Sequence, residues 1–232
     1  MVVQTRPFRE RGRWVRCYTE HHGMINGIVS TVRGRAGGGA ALWEPLQGLS
    51  LSWKPGKNNG LATFVQAEPL WLFPSGPEAA VVHALRFFLS EVWAQAIREE
   101  EPNEHLFAFL WHQAEELAVG KPHADVHVYH LLDLCRFLGF APHPPRESKE
   151  QLFNLREGVF QERQPPGSDA LGVHESHLLA RLMEASQEPH RPKLLSSEGR
   201  YKILDVLMRY LVIHQPGFMP PKSLAVLAQV FS

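Results

Sequence analysis

Basic side chains in this chain collect where glycine and short apolar steps surround them, a combination suited to holding phosphates. Arg11, Arg13 and Arg16 come first, then Arg33 and Arg35 within Arg33-Gly34-Arg35-Ala36-Gly37-Gly38-Gly39, then Lys54 and Lys57. The formal net charge of zero conceals an asymmetry. Residues 1–77 hold nine Lys/Arg against four Asp/Glu (+5), residues 78–190 nine against eighteen (−9), and residues 191–232 six against two (+4). A basic segment displaces counterions from a polyanion, whereas an acidic one repels it. The chemistry expected of the first segment is therefore phosphate neutralisation.

Other constellations are weaker. His123, His127 and His130 recur at helical spacing with Asp133 beyond them, donor types that zinc accepts. No cysteine accompanies them, and the expectation is a solvated polar face with no metal. His174 and His177 flank Ser176, but no Gly-x-Ser-x-Gly elbow presents that serine as a nucleophile. Gly56-Lys57-Asn58 lacks the upstream glycine and following Ser/Thr of a phosphate-cradling loop. No catalytic site and no cofactor are expected. Cys17 and Cys135, each among apolar neighbours, read as two buried free thiols.

The elements that must position the basic residues are short and extended. Val15 and Cys17, Ile28 and Val32 around Ser30, Leu49, Leu51 and Trp53, and Leu61, Thr63 and Val65 step by two, the period of a strand with one buried face. Closely spaced strands of this kind predict a small β-barrel, with Arg33 to Gly39 as a basic loop. Prolines at 69, 74 and 77 with Ser75 and Gly76 then end it, since proline fixes φ and removes a backbone donor. The expected domains are a barrel over 1–75 and a helical domain over 78–232. Period-3.6 stripes predict helices from Val81 to near Glu101, from Asn103 to Gly120 and from Ala124 to Gly139. An irregular segment over 140–172 carries a hairpin at Glu157-Gly158. Helices follow through Leu178–Met183, after a cap at Ser196 or Ser197, and through Leu224–Val230.

At 232 residues the chain is long enough for two domains with cores. No apolar run approaches the roughly 20 residues that cross a bilayer, and no basic-then-apolar leader opens the sequence, so a cytoplasmic location and no membrane partner are expected.

Several runs carry a resemblance. Val15-Arg16-Cys17-Tyr18-Thr19-Glu20-His21-His22-Gly23, Val32-Arg33-Gly34 and Leu42-Trp43-Glu44-Pro45-Leu46 resemble the N-terminal half of the RecO family of bacterial recombination mediators. Ile97 to Asn103, Phe137 to Pro142, Phe153 to Phe160 and Lys222 to Leu227 resemble, in the same order, the branch found in Bacteroidetes. The resemblance implies an α+β protein: an N-terminal OB-fold barrel, then a mainly helical domain with a small hairpin insertion. It implies a non-enzymatic role, which comprises binding single- and double-stranded DNA, annealing strands, and working with RecR to load RecA onto DNA coated by single-stranded DNA-binding protein. The basic residues named above would then contact nucleic acid, with Trp14 and Trp53 divided between core packing and base stacking. The alternative is an adaptor for RecR and the acidic C-terminal tail of single-stranded DNA-binding protein. Arg200, Lys202, Arg209 and Lys222 would receive that tail beside Leu204 and Leu207. Three departures from the family pattern stand out. Residues 142–172 lack the four zinc cysteines of many relatives, Ala36 to Gly39 replaces several lysines, and the chain is expected to begin inside the family's first strand.

Overall fold

A computed structural model describes residues 1–10, 12–30, 39–76, 79–97, 101–119, 122–147, 149–163 and 169–231. By compactness the chain groups into residues 1–122 with 221–230, and residues 123–220 with 231–232. These units differ from the boundary expected near residue 77, because helices that follow the prolines pack within the first unit.

The first unit opens with β1 (Val2–Phe8), β2 (Gly12–Thr19) and β3 (Gly23–Ser30), an antiparallel meander. After a 3-10 turn at Ala40–Trp43 come β4 (Leu49–Lys54) and β5 (Ala62–Pro69), paired antiparallel. β5 lies parallel to β3, giving the order β1-β2-β3-β5-β4. That order, with its single parallel pair, is the OB-fold. Among the described residues the ladder is not closed, yet Val2 N donates to Gln47 O (3.0 Å) and Leu46 N to Val2 O (2.8 Å), which draws β1 toward the approach to β4.

The core contains Val2, Val15, Cys17, Val29, Trp43, Leu49 and Phe64, with Leu51 and Trp53 against it. Val15 with Cys17, and Leu49 with Leu51, face inward as their spacing predicts. β3 and β5 run in the opposite phase: Ile25, Gly27 and Val29 face the core in place of Ile28, and Ala62 and Phe64 replace Leu61, Thr63 and Val65. The cause is register. Gly27 lies opposite Val15 on one side and Ala62 on the other, so these three share the inner face. A Cβ on Gly27 would stand 2.6 Å from the Phe64 ring and 2.9 Å from Ala62 O, so only glycine admits this approach. Val32 lies outside the described residues.

α1 (Ala80–Ala96) buries the expected stripe from Val82 to Ala96 but ends earlier than predicted, with Ile97 extended. Its Arg86 is buried and donates through Nε and Nη2 to Pro45 O (3.1 and 2.7 Å) while lying 3.7 Å over the Phe73 ring. α2 (Glu104–Val119) begins where Asn103 Oδ1 accepts from Leu106 N, and α6 (Leu224–Val230) packs on α1. Among the described residues no helix is long and apolar enough to cross a membrane.

The second unit holds α3 (Val126–Phe137), the hairpin β6 (Leu152–Asn154) and β7 (Val159–Gln161), α4 (Val173–Ala185) and α5 (Ser197–His214). Ser196 Oγ accepts from Gly199 N and caps α5. In the hairpin, Asn154 Oδ1 accepts from Arg156 N and Glu157 N, an Asx turn, and Gly158 takes φ +69°. Asp125 is fully buried at the start of α3. Its Oδ1 accepts from Arg200 Nε (2.9 Å) and its Oδ2 from Leu194 N and Leu195 N (2.7 and 2.9 Å). Asp133 similarly accepts from Arg191 (2.5 and 3.0 Å).

Candidate nucleic-acid interface

Side chains that alternate with the barrel core point outward, and cross-strand register decides which of them meet. Arg6 lies opposite Trp14, Trp14 opposite Ile28, Ile28 opposite Thr63, and Thr63 opposite Lys54. Residues opposite one another share a face, so these five form one row across all five strands. A cation stands at each end, with an indole and an aliphatic side chain between. The Arg6 guanidinium lies 4.1 Å over the Trp14 ring, and Trp14 keeps part of its surface exposed. One step along, Phe8 lies opposite Gly12, and the Arg9 guanidinium sits 5.3 Å over the Phe8 ring.

The predicted contact residues separate under this geometry. Lys54 and Lys57 are exposed, the first ending the row and the second in the turn between β4 and β5. Arg13 has the phase of Val15 and belongs to the inner side, where its Nη1 reaches Thr5 Oγ1 at 3.5 Å and Glu44 Oε1 at 3.8 Å. Arg16 shares the face of Trp14 but donates to Ala94 O (3.1 Å) and Ile97 O (3.5 Å), carbonyls at the C-terminal end of α1. Trp53 faces the core and meets His22 edge-on at 4.9 Å, so of the two tryptophans only Trp14 is presented outward. Arg11, Arg33 and Arg35 lie outside the described residues. Arg6 and Arg9 are absent from the set that charge and spacing predict. The signal that points to them is the short span between Phe8 and Gly12, whose pairing sets Arg6 opposite Trp14.

The predicted tail-binding set also needs correction. Arg200 is 5% exposed and committed to Asp125, with further bonds to Leu195 O (3.2 Å) and Phe231 O (3.3 Å). Leu204 and Leu207 are core residues of α5. Lys202 pairs with Glu198 (2.6 Å) and Arg209 with Asp205 (4.0 Å), while Lys222 is exposed in the first unit. Elsewhere in the second unit a cleft of about 680 Å³ opens between α3, α4 and the proline segment. Its walls include Leu132, Ala141, Pro142 and Pro145, with Arg136 and Arg181 among the lining residues.

The other constellations resolve as structure. His127 and His130 are buried, contrary to the expected solvated face, because apolar residues surround them along α3. Burial lowers the His127 pKa to about 3, with Arg200 adding to the shift and Asp125 opposing it. Among the described residues no group of three His, Cys, Asp or Glu could hold a metal. Ser176 Oγ accepts from Phe153 N at 2.9 Å, a buried structural bond, while His174 and His177 are exposed. Both cysteines are buried and free, and burial pushes the Cys17 thiol up to about 11 and the Cys135 thiol up to about 12. Neither is an activated nucleophile.

Comparison with known proteins agrees with the barrel and extends beyond it. Residues 1–73 match the family model for the recombination protein O N terminal domain. The DNA repair protein RecO of Flavobacterium johnsoniae is 28% identical, aligned over 100% of this chain and 97% of the relative. Those of Flavobacterium psychrophilum and Bacteroides fragilis are 27% and 28% identical over the same shares. The OB barrel matches the family's N-terminal model, and the chain as a whole is similar to these DNA repair proteins.

Proposed function

We propose that this chain is a non-enzymatic DNA repair and recombination mediator acting in the cytoplasm. It binds single- and double-stranded DNA, anneals complementary strands, and with RecR helps bring RecA onto DNA coated by single-stranded DNA-binding protein. The observation that carries this reading is the outward row from Arg6 to Lys54, on a segment with a surplus of five positive charges. OB barrels hold single strands by combining a basic groove with aromatic stacking surfaces. The strand would cross β1, β2, β3, β5 and β4 along this row, with Lys57, Arg33 and Arg35 supplying further phosphate contacts.

The test is anisotropy of a labelled single-stranded oligonucleotide titrated with protein at several salt concentrations. Tight binding with a steep salt dependence is expected. Lys54→Ala with Lys57→Ala should weaken all sequences alike and flatten the slope by about one unit per lost contact. Absence of binding at low salt would overturn the reading.

The cleft supports a second activity, capture of the acidic C-terminal tail of single-stranded DNA-binding protein. Its proline-rich walls offer apolar surface and Arg181 offers a carboxylate partner. Arg181→Ala should weaken tail-peptide binding and leave DNA affinity unchanged. Unaltered peptide affinity would remove the cleft from the reading.

A further inference from the structure

The two cation–aromatic pairs at this end of β1 and β2 differ from the lysines of the same face, because each sets a guanidinium over an aromatic ring. We infer that Arg6–Trp14 and Arg9–Phe8 form a two-base site that accepts only unstacked bases of a single strand. This rests on the DNA-binding reading above and assigns it a substrate class at named residues.

Three observations carry the inference. The first is spacing. Phe8 lies opposite Gly12, two residues before Trp14 on the same face, and two residues of strand advance about 7 Å. Stacked bases in a duplex rise only about 3.4 Å along each strand. Two neighbouring bases that seat on both rings must therefore be pulled apart, which a duplex does not permit. The second is access. Gly12 presents no side chain between the two platforms, and a Cβ there would stand 2.8 Å from Phe8 O.

The third is the backbone at Arg9, whose φ of +53° is left-handed, a conformation that ordinary side chains adopt at a cost and glycine does not resist. The turn carries an arginine there nonetheless, and that arginine lies over Phe8. Non-glycine residues held in this region cluster at ligand clamps and active sites. The guanidinium would complete a sandwich on the base or neutralise its phosphate, and both outcomes need the side chain that strain opposes.

The experiment compares oligo-dT with an abasic oligonucleotide of equal length, which has the same phosphates and no bases. The full chain should bind oligo-dT more tightly than the abasic strand. Trp14→Leu and Phe8→Leu, which keep apolar bulk without an aromatic face, should each cut oligo-dT affinity by roughly 5- to 150-fold and spare abasic binding. Arg9→Gly relieves the strained turn, so it should preserve or raise the unfolding midpoint while weakening oligo-dT. An unchanged ratio of oligo-dT to abasic affinity in Trp14→Leu would overturn the site while DNA binding stands. Failure of the parent protein to bind either strand would overturn the DNA reading itself.

Discussion

One pair of arginines in each compact unit does the opposite of the other. In the first, Arg6 and Arg9 are exposed and rest on aromatic rings with no carboxylate partner among the described residues. In the second, Arg200 and Arg191 are held by Asp125 and Asp133. The sequence places both kinds in basic segments of similar surplus, +5 and +4. What separates them is the neighbour. An arginine on an aromatic ring keeps its hydrogen-bond donors for a ligand, whereas one on a buried carboxylate has committed them to the fold. Local charge density therefore identifies a binding surface only after the carboxylates that fold back onto it are known.

The largest test of this contrast is Asp125→Ala. It strands the Arg200 guanidinium and the Leu194 and Leu195 N–H groups without their acceptor, and breaking one side of a buried pair costs about 3–5 kcal/mol. Denaturant unfolding should show that loss. A cost under about 1 kcal/mol would mean that the pair contributes nothing beyond surface charge.

Next in size is acid sensitivity of the same unit. His127 is neutral when folded, with its pKa pushed to about 3 by burial and by Arg200, against the ordinary value of 6.5. Between these values the unfolded chain binds a proton that the folded chain refuses. Stability should fall as pH drops below 6.5, approaching about 1.4 kcal/mol per unit, and level off near pH 3. His127→Phe should remove that share of the slope, as read from unfolding midpoints between about pH 7 and pH 4.5. The smallest expected effect lies on the barrel: Arg6→Ala should cost about 0.5–1 kcal/mol, the worth of an exposed cation–π contact. A loss comparable to that of Asp125→Ala would erase the contrast.

Much of the barrel was legible because Val15, Cys17, Leu49 and Leu51 alternate with polar neighbours. In β3 and β5 the pairs Ile28-Val29 and Phe64-Val65 put apolar residues on both faces, so alternation alone could not choose the phase. Pairing with β2 chose it. The histidines of α3 misled because polar residue types suggested a wet face, although Val128, Leu131, Leu132 and Leu134 among them signal a helix buried nearly all round. Asp125 and Arg200 are 75 residues apart, and nothing local marks them as partners. Arg6 was within reach, since the turn fixes which residues of β1 and β2 face each other. The basic residues committed to the fold differ from the outward row in strand phase, for Arg13, and in the position of α1, for Arg16.

The parallel contact between β3 and β5 bears on how the barrel assembles. β1, β2 and β3 pair through short connections, as do β4 and β5, so each group can form from nearby chain. Joining them requires closure of the long segment between Ser30 and Ala62, an entropic cost that sequence-local contacts do not bear. During synthesis the meander can therefore emerge and pair first, with its inner face uncovered, while Phe64 is still to come. Completion of the barrel waits for β5, and Gly27 is the position at which the two halves meet.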